Sequence, residues 1–347
     1  MPNKKSTTIL LTGAAGFIGS NLLTYLFKKY PTYRFLVLDS LTYAGDIKNI
    51  PEEIQKSKRF EFWYGDIRNS KLVDQLISKS DYVIHLAAET HVTRSIYDNS
   101  RFFETDVMGT QTVTNGVLQN KKTVKRFIHI STSEVYGTAL DKKMDESHPL
   151  NPRSPYAAAK AGADRLVYSY ITTYDIPGVI LRPFNVYGPN QHLEKVIPRF
   201  ITSCILDEYL TIHGDGMEMR DFSHVLDIAN AIDLVLHAPD NKVRGETFNL
   251  GSGTGTTIGK LANKILNIMN VNKNMITCIG NRPGQVLKHE ASANKIKSIL
   301  GWEPKIDFIT GLKSTAEWYK KNKGWWQHKI WMRHVPIISA SGKKELH

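Results

Sequence analysis

The chain has 347 residues, 41% hydrophobic and 22% charged, which is enough to bury a large core and unlike a disordered segment. No apolar run reaches the roughly 18–20 residues that cross a bilayer, so no membrane association is expected. The formal charge of +12 is scattered over pairs such as Lys28-Lys29, Lys142-Lys143 and Lys320-Lys321. Without a basic stripe interleaved with aromatics it reads as solvated surface that steers an anionic small molecule, not as a nucleic-acid interface.

The first apolar stretch follows two lysines, as in a signal peptide, but Gly13, Gly16 and Gly19 interrupt it and no cleavage pattern follows. It is read as a strand, Ile9-Leu10-Leu11, and a helix, Ser20 to Lys29. Further strands are expected at Phe35–Leu38, Phe60–Tyr64, Tyr82–Leu86, Arg126–Ile130 and Gly178–Leu181, with helices such as Lys71–Ser78 and Thr105–Gln119 between them. That alternation predicts an α/β fold, a Rossmann-type doubly wound parallel sheet over residues 1–185 plus 225–250. After Arg182 the rhythm breaks at Gly188-Pro189, Gly214-Asp215-Gly216 and Arg282-Pro283-Gly284. A smaller mixed α/β substrate domain is expected over 186–224 plus 251–325, followed by a Trp-, His- and Lys-rich tail, 326–347. Asp227–His237 is expected to be a helix and Glu246–Leu250 a strand, both rejoining the main sheet. Cys204 and Cys278, each among apolar neighbours and in no C-x-x-C pair, read as buried free thiols of a cytoplasmic protein with no metal.

Between the first strand and helix lies Thr12-Gly13-Ala14-Ala15-Gly16-Phe17-Ile18-Gly19. A G-x-x-G-x-x-G run there gives a tight turn, close approach to a pyrophosphate and close helix–sheet packing. The second strand ends at Asp39, twenty residues after Gly19, where a carboxylate accepts from both ribose hydroxyls of NAD and repels a 2′-phosphate. Asp66-Ile67 follows the third strand, placed for an adenine amino group. Small residues at Leu86-Ala87-Ala88 let a cofactor lie close.

Tyr156 and Lys160 stand four residues apart, on one face of a helix. An ammonium beside the phenol is expected to lower its pKa and make it a base toward a sugar hydroxyl. The strand Ile128-His129-Ile130 ends in Ser131-Thr132-Ser133-Glu134, at the sheet edge where ligands bind. Thr132 is placed to hydrogen-bond the same hydroxyl. Glu134 has no use in simple alcohol oxidation, but it suits removal of a carbon-bound proton beside a new ketone.

These stretches resemble the extended short-chain dehydrogenase/reductase family over residues 7 to 320, with the nucleotide-sugar 4,6-dehydratase pattern, the dTDP-glucose type in particular. The resemblance rests on Val37-Leu38-Asp39-Ser40-Leu41-Thr42-Tyr43-Ala44-Gly45, His85 through Ser95, Tyr187-Gly188-Pro189, Glu194-Lys195-Val196-Ile197-Pro198 and Arg282-Pro283-Gly284. It implies C4 oxidation by Tyr156, Lys160 and Thr132, proton removal at C5 by Glu134, loss of water at C6, and a homodimer. It implies cofactor contacts at Phe17, Ile18, Ser40, Leu41, Thr42, Asp66, Ile67 and Thr105. Sugar and nucleotide contacts are implied at Thr90, Thr132, Asn185, Lys195, Val196, Arg220, Asn249 and Arg282. The chain departs from the dTDP-glucose pattern at Ser133, where that type carries an acidic Asp, and at Asp106, where Asn is usual. It also lacks the basic pair after Gly284. A UDP- or GDP-linked N-acetylhexosamine therefore stands beside dTDP-glucose as the implied substrate, and UDP-glucuronate decarboxylation or C4 epimerisation as the alternative reactions.

Overall fold

In the computed structural model described here, residues 6–281 and 283–334 are described, together with the backbone of 336–338 and 344–346. The strands of the first half are β1 (Thr8–Thr12), β2 (Arg34–Asp39), β3 (Phe60–Tyr64), β4 (Tyr82–His85), β5 (Arg126–Ile130) and β6 (Gly178–Pro183). They are followed by β7 (Asn185–Tyr187), β8 (Leu210–His213), β9 (Met219–His224), β10 (Thr247–Leu250), β11 (Gly255–Thr257) and β12 (Ile276–Ile279).

Seven of these form one parallel sheet in the order β10-β6-β5-β4-β1-β2-β3. Alternate side chains of β1 point to opposite faces, and both faces are covered. Ile9 and Leu11 pack with Leu22 and Leu26 of the helix Phe17–Lys29 and with Ile228 and Ile232 of the helix Val225–His237. Leu10 packs on the other face with Val73, Val113 and Val167, from the helices Ser70–Ile77, Thr110–Gln119 and Pro155–Tyr174. Burial on both faces is why these strands read as unbroken apolar runs. The strand order reverses between β1 and β4, which opens a crevice at their carboxyl ends.

A second apolar core lies beyond β6. It joins Ile197, Phe200 and Ile201 of the helix Val196–Ile205 with Leu261 and Ile265 of the helix Ile258–Met269 and Leu312 of the helix Phe308–Lys321. Strands β11-β9-β7 and the pair β12-β8 frame it. Part of the expected tail belongs here. Trp326 is fully buried and donates its indole N–H to the Tyr319 carbonyl at 2.8 Å. Lys329 then reaches Asp46 at 3.0 Å, tying this stretch to the loop after β2.

Two expectations are corrected. Cys204 is buried and free, but Cys278 is exposed, on β12 of the two-stranded pair β12-β8. The helix expected from Thr105 begins as a π-helical stretch, Phe103–Gly109, and becomes α-helical only at Thr110.

Candidate active site

The crevice at the switch point opens into a cavity of about 640 Å³, the size of a pocket for a cofactor or drug-sized ligand. It gathers nearly every residue the sequence singled out: Gly13, Gly16, Phe17, Ile18, Gly19, Asp39, Ser40, Thr42, Asp66, Ile67, Leu86, Ala87, Ala88 and Thr105 at one end. Thr90, Thr132, Ser133, Glu134, Tyr156, Lys160, Asn185, Lys195, Val196 and Arg220 line the remainder. Leu41 and Asn249 do not line it. Leu41 adopts φ +48°, which turns its N–H onto Asp39 Oδ1 at 2.8 Å. The Asn249 amide is spent inside the protein: Oδ1 accepts from the Tyr136 hydroxyl at 2.8 Å and Nδ2 donates to the Met144 carbonyl at 3.1 Å. Arg282 lies outside the described residues.

The glycine turn is shaped for a dinucleotide. Gly13 has φ +73°, and a Cβ there would sit 2.6 Å from Ala87 backbone atoms. A Cβ at Gly19 would sit 2.6 Å from Ala14 Cα, so the helix Phe17–Lys29 seats directly on the turn. Its N-cap is Gly16, with no side-chain cap. First-turn N–H groups thus face the crevice, as a pyrophosphate requires. Asp39 accepts from Ala15 N–H at 2.9 Å and from Leu41 N–H, which fixes both carboxylate oxygens at the cavity wall. Burial pushes its carboxyl up, while these two bonds pull it down. Each oxygen keeps a lone pair for a ribose hydroxyl. Asp66 shares its carboxylate with Arg68, at 2.7 and 3.0 Å, and the guanidinium holds it below the usual range despite burial. The residues present therefore fit NAD.

The reaction centre is built by the helix Pro155–Tyr174 and the end of β5. Ser154 caps the helix through Ala157 N–H at 3.2 Å, and Pro155 occupies its first turn. Tyr156 and Lys160 then face the cavity from one side of the helix. Lys160 donates from Nζ to the Ile130 carbonyl at 2.8 Å. Here the structure departs from the sequence expectation. The Tyr156 phenol is pushed up, not down, first by burial and then by the Asp106 carboxylate, with Thr132 pulling it down through a hydrogen bond. The Lys160 ammonium is itself pushed down by burial and held up by Asp106 and Asp164. Asp106 is fully buried on the π-helical stretch, where Oδ1 accepts the Glu89 N–H at 2.8 Å, and burial pushes its carboxyl up. Thr132 begins the short turn Ser133–Tyr136 by accepting the Glu134 N–H at 3.2 Å, which puts Glu134 at the cavity wall opposite Tyr156.

Sequence reasoning missed the role of a polar group on the far wall. Glu194 is buried between His91 at 3.5 Å, His192 at 3.1 Å and Lys195 at 3.2 Å, and accepts from the Tyr43 hydroxyl at 3.1 Å. Burial pushes its carboxyl up, but the Lys195 ammonium and the two imidazoles beside it outweigh burial and hold it well below the usual range. Lys195 also donates to the Thr90 carbonyl at 2.7 Å. These residues come from three separate loops, so their contiguity left no signal in the chain order. Asn185 Nδ2 is buried with no hydrogen-bond partner among the described residues, at the wall of the same cavity. A sugar hydroxyl would satisfy it.

A doubly wound sheet with a glycine turn at its switch point, and a Tyr-Lys helix across from that turn, defines a dinucleotide-binding protein of the extended short-chain dehydrogenase/reductase type. Within it, the chain belongs to the family described as GDP-mannose 4,6 dehydratase, whose model matches residues 10–315. It is 41% identical over 311 residues to the low-salt glycan biosynthesis protein Agl12 of Haloferax volcanii, covering 90% of this chain and 98% of that protein. It is 37% identical to a dTDP-glucose 4,6-dehydratase of Streptomyces niveus, covering 92% and 94%. Among solved structures, the dTDP-glucose 4,6-dehydratase DesIV of Streptomyces venezuelae, with NAD and TYD bound, superposes with a TM-score of 0.88 at 38% identity, covering 93% of this chain and 99% of that one.

Proposed function

We propose that this chain is an NAD-dependent nucleotide-sugar 4,6-dehydratase, a hydro-lyase that converts a nucleoside-diphosphate hexose to its 4-keto-6-deoxy form. The observation that carries it is Glu134 at the wall of the cavity that also holds Thr132, Tyr156 and Lys160. NAD+, when bound, supplies the acceptor of the C4 hydride and returns that hydride to C6. Tyr156 takes the C4 hydroxyl proton, with Thr132 bonded to the same oxygen and the Lys160 ammonium stabilising the phenolate. The 4-ketone acidifies C5–H, and Glu134 removes that proton as water leaves C6. Arg220 faces the diphosphate, and Asn185 and Thr90 face the sugar. The nucleotide-sugar class has support in the relatives of the preceding section. Within it we put dTDP-glucose first, on the identity to dTDP-glucose 4,6-dehydratases. Ser133, in place of an acid, favours a UDP- or GDP-linked N-acetylhexosamine as the second reading.

The test is a panel of nucleotide sugars incubated with purified protein, with products weighed by mass spectrometry. Loss of one water from one member is expected. Loss of carbon dioxide from UDP-glucuronate would instead mark a decarboxylase. An unchanged mass with inverted C4 would mark an epimerase. Either result would overturn the dehydratase reading.

A further inference from the structure

His289 stands against the reaction centre without lining the cavity. It follows the Gly284 turn, and its backbone N–H donates to the Met219 carbonyl of β9 at 2.9 Å. The ring is fully buried and meets Phe184 edge-on, with centroids 6.1 Å apart. Nε2 lies 2.7 Å from the Gly137 carbonyl oxygen. A carbonyl oxygen only accepts, so Nε2 carries the proton and Nδ1 of the neutral ring is a bare lone pair. Nδ1 lies 3.5 Å from the Ser133 hydroxyl and 3.8 Å from Glu134 Oε1. The backbone thus clamps one nitrogen and presents the other to both side chains of the Ser-Glu pair. Burial pushes this imidazole down, and Arg220 and His148 add to that, against Glu134 and the Gly137 hydrogen bond, which draw it up. Lys288 and Glu290 flank it in the chain and pair with each other at 3.9 Å.

We propose that His289 is the positioning residue of the elimination step, holding Ser133 and Glu134 as one unit through Nδ1. This rests on the dehydratase reading. In that reaction Glu134, as carboxylate, takes the C5 proton. The C5–H electron pair becomes the C5–C6 double bond, and the C6–O pair leaves with the oxygen. That oxygen gains one proton and departs as water. One proton is taken and one given, so the balance closes when Glu134 returns the proton it took, and Ser133 need not be an acid. The same carboxyl group must then serve two transfers in one orientation. A fixed acceptor at Nδ1 receives the Ser133 hydroxyl hydrogen. Between the two transfers the same lone pair, which accepts one hydrogen at a time, passes from the Ser133 hydroxyl to the protonated Glu134 carboxyl as the 3.8 Å gap closes on substrate.

The experiment uses full-length protein with NAD+ and dTDP-glucose, or whichever panel sugar the wild type dehydrates. Appearance of reduced nicotinamide reports C4 oxidation, and mass spectrometry reports elimination. His289→Gln places an amide N–H near the Nε2 position, keeping the Gly137 contact and deleting the nitrogen that faces Ser133 and Glu134. His289→Asn does the reverse, with its carbonyl oxygen near the Nδ1 position. In His289→Gln, reduced nicotinamide is expected to form at the wild-type rate. Its re-oxidation and product release should fall about 10- to 100-fold, and the acidic limb of the elimination pH profile should shift. His289→Asn is expected to keep elimination within about tenfold of wild type, with kcat moving more than KM. Glu134→Gln gives the reference for lost elimination. Equal loss of oxidation and elimination in His289→Gln, an unmoved pH profile, or His289→Asn failing as badly as His289→Gln while both fold would overturn the proposal. A wild type that reduces the cofactor but dehydrates no panel sugar overturns the dehydratase reading itself, a result visible before any variant is made.

Discussion

Asp106 is a carboxylate in the field of both Lys160 and Tyr156, at a position where the family resemblance leads one to expect an amide. Its negative charge favours the protonated phenol, so removing it lowers the pH at which Tyr156 becomes a base. Asp106→Asn keeps an oxygen for the Glu89 N–H, and Asp164 still faces the Lys160 ammonium, so neither fold nor ammonium is lost. The acidic limb of the pH profile for C4 oxidation should move down by about one unit, read from single-turnover formation of reduced nicotinamide. Superimposable profiles for the two proteins would sink the idea. Ser133 and Glu134 were legible because they sit in a contiguous motif, and Asp106 because the family resemblance marks its position. His289 was not, since 156 residues separate it from Ser133 and nothing local marks a histidine as a neighbour of that turn. The pKa argument at Tyr156 was legible in its parts but not in sign. Sequence shows the lysine four residues on, and it does not show how deeply the phenol is buried.

The helix Pro155–Tyr174 carries more than the Tyr-Lys pair. Asp164, one further turn along the same face, accepts from Ser131 Oγ at 2.7 Å and from Arg182 Nε and Nη2 at 2.9 Å. Arg182 continues through Nη1 to the Tyr136 hydroxyl at 2.8 Å, and Tyr136 continues to Asn249. This network pins the end of β5, where Thr132 and Glu134 begin, to the helix that holds Tyr156. It also explains why Asn249 faces inward. The guanidinium beside Asp164 holds its carboxyl well below the usual range. Its stabilisation is therefore complete above the ordinary value of 3.8 and is lost only as pH falls below it. Asp164→Asn leaves Arg182 buried and unpaired and should cost about 3–5 kcal/mol in urea unfolding. A loss under about 1 kcal/mol would mean that the pair is not the anchor. At this scale the sequence yields a helix carrying Tyr156 and Lys160, and the structure adds its start, capped by Ser154 with Pro155 in the first turn. The sequence misplaces the first helix, which begins at Phe17 and not Ser20, because glycines in its first turn hide the apolar period. The π-helical stretch is set by the Asp106–Glu89 contact and by packing on the helix Pro155–Tyr174, which are tertiary and leave no periodic signature.

Taken as a whole, the molecule folds neutral histidines into and around its sheet. Alternating elements announced a parallel sheet, but the sequence does not show that its centre holds imidazoles. His85 lies between the Thr12 hydroxyl at 2.7 Å and the Thr110 hydroxyl at 3.0 Å, and its ring stands 5.5 Å from that of His129. Burial pushes His85 down to about 3 and His91 down to about 4, and His129 goes well below its ordinary value. His224 and His289 are lowered in the same sense. The unfolded chain takes up these protons from pH 6.5 downward, whereas the folded chain refuses them. Their contribution is therefore complete above pH 6.5 and is lost as pH falls toward the folded values. Each costs about 1.4 kcal/mol per pH unit below that point. Asp106, raised by burial, runs the other way and cancels one proton. The carboxyls of Asp39, Glu89, Glu146 and Asp221 are raised by burial in the same sense, so the slope is the excess of lowered imidazoles over raised carboxyls, set against the roughly 5–15 kcal/mol that holds a domain together. Thermal unfolding midpoints should fall steeply between pH 6.5 and 5.5, well above the range where the paired carboxylates titrate. His129→Leu should flatten that slope by about 1.4 kcal/mol per unit, even if it lowers stability at pH 7.5. A midpoint that stays level down to pH 5.5 would show that the buried histidines accept their protons in the folded state, and the sheet interior would then have to admit water.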